Sequence, residues 1–267
     1  MSAGSSHQAD SGQANGGQTD VGRADAGKAE AGAPVQMSPT AYDAVRDAAR
    51  RYDYDRYLAA LLSPRSVRQD LVALASVTGA VERVPSLVNE PMMGEIRLQW
   101  WADWAEKVAA QPDHVSGNPI ADAAGAAIAR HRLSVTPLAV LFKARLNDLY
   151  ADPFESDADY AAYAADCEAG PFELAASALG LSREPSPKAV AVIEAAGRCW
   201  GGVRVLWKLA FFASRGRWPL PVDHSEGASF LDGPDASTLN DHTRRLIVER
   251  EFKAIRTEKK RVLNILQ

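Results

Sequence analysis

The chain has 267 residues, 46% hydrophobic and 24% charged, with a formal net charge of −4 and an isoelectric point of about 5.8. That length suits one large globular domain plus a tail, and the acidic balance argues against a nucleic-acid binder that works by bulk electrostatics. No apolar run of membrane-spanning length and no apolar signal region occurs, so the expectation is a cytoplasmic protein with at most peripheral membrane contact.

Residues 1–37 are rich in Gly, Ala, Ser, Gln and Asp and lack any aromatic side chain. Such a segment cannot bury enough apolar area to offset its ordering entropy, and it is expected to be a disordered tail, with a flexible tether as its functional reading. Residues 38–267 form the expected helical domain. Ser38-Pro39 is a helix start, and the apolar positions Tyr42, Val45, Ala49 and Tyr52 follow at helical spacing; Asp53 or Asp55 restarts the helix before Leu62. Ser63-Pro64 opens the next helix, which Pro85 breaks or kinks. Pro91 opens a third helix, containing GEIRLQWWADWAE, in which Met93, Ile96, Trp100 and Trp104 repeat every three to four residues. That stripe is read either as a core face carried mainly by Trp100 and Trp104 or as a cavity wall with Arg97 and Gln99 facing a ligand.

Further helices are expected over 119–133, from Pro137 through Leu149, and over 157–181 with a kink at Pro171. An apolar helix from Lys188 to about Ser214 should be interrupted at Gly201-Gly202. Residues 215–235 should be irregular, and a charged helix should run from Ala236 to about Leu266. No strand-like alternation bounded by hairpin turns appears, so the fold class is all-α.

The chemistry-bearing residues are sparse. There is no Gly-rich phosphate loop, no paired histidines at metal spacing and no nucleophile elbow. Cys167 and Cys199 lie in apolar surroundings and are read as buried thiols in a reducing compartment. Asp53 with Asp55, and Asp166 with Glu168, are two residues apart. They should point apart on a helix and are read as solvated or capping acids. Arg65 and Arg68 begin one helix, Arg204 and Lys208 lie four apart near the end of another, and Arg215 and Arg217 follow. These are either phosphate-binding cations or ordinary helix-terminal charges.

DYDRYLAALLSP, Arg68 with DLVALASV, GEIRLQWWADWAE and RGRWPLP, spanning roughly Asp53 to Asp223, resemble the squalene/phytoene synthases. The likeness is greatest to a divergent branch that includes a complex I assembly factor and bacterial relatives. The resemblance implies an isoprenoid-synthase-like helical bundle around an apolar cavity. Active members bind Mg²⁺ through two D-x-x-x-D motifs and condense two prenyl diphosphates head to head. Placed on the first motif, the aspartate positions fall on Glu82 and Ser86; on the second, they fall on Lys208 and Phe212. Arg68, Arg217 and Pro221 match the family, whereas Pro219 stands at a tyrosine position. The bundle is also expected to be shortened at its C-terminus.

The resulting expectation is a non-catalytic family protein that binds an isoprenoid or other lipid-like ligand, or a protein partner, without a cofactor. Arg68, Glu82, Arg97, Arg204, Lys208 and Arg217 are the substrate-binding candidates, and no catalytic residue or metal ligand is assigned. The alternative is an active prenyl-diphosphate transferase with Glu82 as its remaining Mg²⁺ ligand.

Overall fold

In the computed structural model, the described residues are 38–150, 152, 154–181, 186–214 and 241–266. The tail reading for 1–37 and the candidate Arg217 lie outside them. Every regular element among the described residues is helical: α1 (Pro39–Tyr52), α2 (Tyr54–Leu62), α3 (Arg65–Glu82), α4 (Pro91–Ala110), α5 (Pro119–His131), α6 (Thr136–Ala144), α7 (Asp157–Ala178), α8 (Pro187–Ser214) and α9 (Asp241–Leu266). Two 3₁₀ turns, Val84–Ser86 and Arg145–Leu149, follow α3 and α6.

Local chemistry sets these boundaries. The Ser38 hydroxyl accepts from Ala41 N–H at 3.2 Å, and Pro39 occupies the first turn of α1, where its missing N–H costs nothing. Asn118 caps α5 through Ile120 and Ala121 N–H, and Ser156 caps α7 through Asp159 N–H. Asp53 leaves the helical region (φ −143°, ψ 63°), so α1 and α2 are separate and the Asp53 carboxylate enters the interior at their junction.

Helix α3 is the central element. Residues 70–79 are all buried, and α1, α2, α5 and α7 pack against it. Its contact with α1 is close: a Cβ on Gly79 would stand 2.8 Å from Tyr52 Cβ and 3.2 Å from Asp53 N. Helix α8 packs against both α7 and α9. Gly201 and Gly202 do not interrupt α8, which runs unbroken past them. Gly201 instead admits α7, because a Cβ there would lie 2.6 Å from Ala164 Cβ. Helix α7 likewise continues through the buried Pro171.

The tryptophan-rich helix α4 turns a different face inward from the stripe singled out in the sequence. Leu98, Trp101, Trp104, Ala105 and Val108 are buried, whereas Met93, Ile96 and Trp100 are 48, 57 and 41% exposed. Trp104 packs as expected; Trp100 does not. Both stripes have helical spacing, and periodicity cannot choose between two apolar faces of one helix. Trp101 makes edge contacts to Trp100 and Trp104 at 4.9 and 5.5 Å and packs by Phe142 of α6. At the start of α4, Gly94 leaves room for Leu149, so α4 buttresses the Arg145–Leu149 turn. Burial of Leu98 alone is worth about 1.5–3 kcal/mol.

Candidate functional site

Where α2, α3, α7, α8 and the Arg145–Leu149 turn converge, the interior is charged. Four carboxylates, Asp53, Glu82, Asp148 and Glu168, face four cations, Arg56, Arg145, Arg204 and Lys208. Arg56 bridges Asp53 at 2.9 Å and Glu168 at 2.6 Å. Arg145 bridges Asp148 at 3.1 Å and Glu168 at 2.9 Å. Arg204 reaches Asp53, Glu82 at 2.5 Å and, through Nε, Glu168 at 3.6 Å; the last contact is an ion pair without a hydrogen bond. Lys208 Nζ lies 2.5 Å from Glu82 Oε1.

The pairing leaves no carboxylate oxygen in the cluster without a donor. Asp53 Oδ1 accepts from Arg204, and its Oδ2 accepts from Arg56 and from the Thr78 hydroxyl at 2.6 Å. Glu82 accepts from Lys208 and Arg204, Glu168 from Arg145 and Arg56. Asp148 accepts from Arg145 and from the Tyr163 hydroxyl, the latter at 2.5 Å. Formal charge is therefore zero, as a buried ionic cluster requires if each ion's desolvation is to be offset.

Protonation equilibria follow this arrangement. Burial opposes ionisation of Glu82, but Lys208, Arg204 and Arg145 outweigh it and hold the carboxyl well below the usual carboxylate range. Burial also works against the Arg56 cation, and Asp53 and Glu168 more than offset it. The Tyr163 phenol is raised by burial and by the Asp148 charge, so it stays a neutral donor. Burial pushes the adjacent Cys167 thiol up to about 12, which removes it as a nucleophile near neutral pH. Cys167 is buried as expected, whereas Cys199 is only half-buried.

Three of the six sequence candidates meet here: Glu82, Arg204 and Lys208. Arg68 does not join them. It lies fourteen residues before Glu82 on the continuous α3, about 21 Å along the axis, and donates to Ser63 C=O at 2.9 Å. Arg97 is exposed on α4. Asp53 and Glu168 are not the solvated acids expected from their local spacing; they are 1 and 2% exposed and meet across the bundle. Arg56, Arg145, Asp148 and Tyr163 complete the cluster, although the sequence reading had singled out none of them. Their only sequence signal is the presence of ionisable residues within otherwise apolar helical stretches.

The positions that resemble the two metal motifs do come face to face, but through Glu82 and Lys208. A magnesium ion takes near-octahedral oxygen ligands and needs uncompensated negative charge. Here the acids are already neutralised, and the ammonium of Lys208 occupies one side of the Glu82 carboxylate. The donor set does not fit Mg²⁺. At the edge of the cluster, a cleft of about 270 Å³ is lined by Glu82, Asp148 and Lys208 together with Tyr52, Arg83 and Ser86, with the Arg83 guanidinium 3.8 Å from the Tyr52 ring centre. A wider groove of about 810 Å³ runs between α4 and α6, walled by Ile96, Trp100, Ala139, Phe142 and Leu146.

Comparison with known proteins agrees with this architecture. NADH dehydrogenase (ubiquinone) complex I, assembly factor 6, from Homo sapiens and from Rattus norvegicus is 26% identical over 174 residues, and that from Bos taurus 25%. These alignments cover 65% of this chain and 51% of each relative, so the chain spans about half the length of the curated relatives it matches. The profile described as squalene/phytoene synthase matches residues 49–248, most of the helical region and the whole of the ionic cluster, and the chain belongs to that family.

Proposed function

We propose that this chain is a non-catalytic member of the family, an assembly-type protein that works by binding a partner protein. An isoprenoid or other lipid-like molecule is the alternative cargo. The observation that carries the reading is the closed charge balance of the cluster. Ionising an allylic diphosphate requires metal ions that neutralise the leaving group, and the carboxylates that would hold them are each committed to an internal cation. Lys208 opposite Glu82 supplies a fixed positive charge that cannot leave with a product. The relatives named for complex I assembly support a role in building a larger complex. The exposed apolar stripe of Met92, Met93, Ile96 and Trp100 supports binding as well, because monomeric proteins rarely leave such area uncovered without a use. Among the described residues no helix is long and apolar enough to cross a membrane.

Incubation with farnesyl or geranylgeranyl diphosphate and Mg²⁺ tests the proposal. The expected result is no head-to-head product and no diphosphate binding that depends on Mg²⁺ in calorimetry. Product that disappears in Glu82→Ala would overturn the reading in favour of an active prenyltransferase.

A further inference from the structure

Helix α9 differs in charge from the rest of the chain. It carries eight Lys or Arg against four Asp or Glu, although the whole chain has a net charge of −4. One side is fixed against α8: Ile255 is half-buried, the Cys199 thiol lies 3.8 Å from Ile255 C=O, and Glu258 pairs with Arg198 at 3.3 Å. The adjacent flank is then determined by helical geometry. Phe252, Arg256, Lys259, Lys260 and Leu263 fall at i, i+4, i+7, i+8 and i+11, within an arc of about 100°. All five are exposed, and Phe252 and Leu263 are 48 and 49% accessible despite being large and apolar. They stand about 16 Å apart along the axis, with the three cations between them.

We infer that this flank of α9 docks on an anionic lipid bilayer surface, with Phe252 and Leu263 entering the headgroup boundary and Arg256, Lys259 and Lys260 meeting lipid phosphates. The occupant follows from charge complementarity. Between 252 and 264 the exposed ionisable side chains are all cationic (Lys253 and Arg261 join the three), and Glu258, the one acid in that stretch, is turned toward α8. Two apolar anchors bracketing a basic patch, on a helix whose adjoining side is held by the protein, are the features of an interfacial rather than a spanning helix. The inference rests on α9 alone and stands or falls separately from the reading of the ionic cluster.

The test is co-sedimentation of the full chain with phosphatidylcholine vesicles, with and without phosphatidylglycerol. Binding is expected only to the anionic vesicles, and it should weaken as salt rises. Each cation near the surface contributes roughly five-fold, so Lys259→Glu with Lys260→Glu should reduce affinity by at least about 25-fold. The pair Phe252→Ser and Leu263→Ser should weaken binding without changing the circular dichroism spectrum, and it decides the matter if the charge reversal perturbs folding. Lys107→Glu, an exposed cation at the end of α4, should leave binding unchanged. Three results would overturn the inference: no vesicle binding, equal binding to neutral and anionic vesicles, or wild-type binding by both double variants. Loss of self-association in Lys259→Glu with Lys260→Glu, in a chain that binds neither vesicle, would assign the flank to a second copy instead.

Discussion

Arg204 reaches carboxylates from three separate parts of the bundle: Asp53 between α1 and α2, Glu82 at the end of α3, and Glu168 within α7. Replacing it with Met would keep much of the volume while leaving three buried acids short of a partner. Removing one member of a buried ion cluster costs about 3–5 kcal/mol, and urea unfolding of Arg204→Met at neutral pH should show a loss of that size. Glu82 gives the corresponding pH signature. Its folded pKa is depressed, so its contribution to stability is complete above its unfolded value, near 4.3, and is lost as pH falls toward the folded value. Glu82→Gln should therefore be less stable than the parent by a constant margin between pH 5 and pH 8. That margin should narrow as the pH drops below about 4, and a margin that grows in acid would contradict the assignment.

At the scale of elements, close helix approach is what brings these charges into register. Helix α8 carries Arg204 one turn beyond Gly201, where it crosses α7 near Ala164. A methyl group there overlaps the Ala164 methyl and crowds the α7 backbone, so Gly201→Ala should lower stability by about 1–3 kcal/mol through overpacking. A melting curve will measure this, and the isolated helix propensity predicts the opposite sign, because Ala is the better helix former by about 1 kcal/mol. The sign alone therefore reports whether packing or propensity governs the site. The same competition explains α8 in the sequence. Gly201-Gly202 reads as an interruption when propensity is weighed alone, yet α8 continues through it, and the absent side chain at Gly201 is what lets α7 approach.

For the molecule as a whole, the neutral cluster should not respond to Mg²⁺. A ligand present at a hundred times its Kd stabilises the folded state by about 2.7 kcal/mol. Millimolar Mg²⁺ should instead leave the melting temperature of this chain unchanged, and a rise that vanishes in Glu82→Ala would show that the carboxylates are available after all. The ions stabilise one another in place of a metal, and α3 carries both the buried stretch 70–79 and, at its C-terminal end, Glu82 of the cluster.

The all-α class was legible in the sequence because helical periodicity, Ser-Pro starts and Asn or Ser caps act over a few residues, which the linear order contains. Family membership was legible for a related reason: GEIRLQWWADWAE and the segments flanking it keep a recognisable order. Glu82 and Lys208 could be nominated because the resemblance set them at motif positions, and Arg204 because it lies four residues from Lys208 on the same helix. Asp53 and Glu168 could not. Their burial depends on helices that meet 115 positions apart, and the spacing to Asp55 or Asp166 carries no information about that meeting. The inward face of α4 was undetermined for a similar reason, since two apolar stripes compete and the Arg145–Leu149 turn against Gly94 selects one. Local interactions thus determined which segments are helices, whereas only the tertiary structure decided which charges cancel, because charge compensation is a property of distances between helices and sequence separation does not encode them.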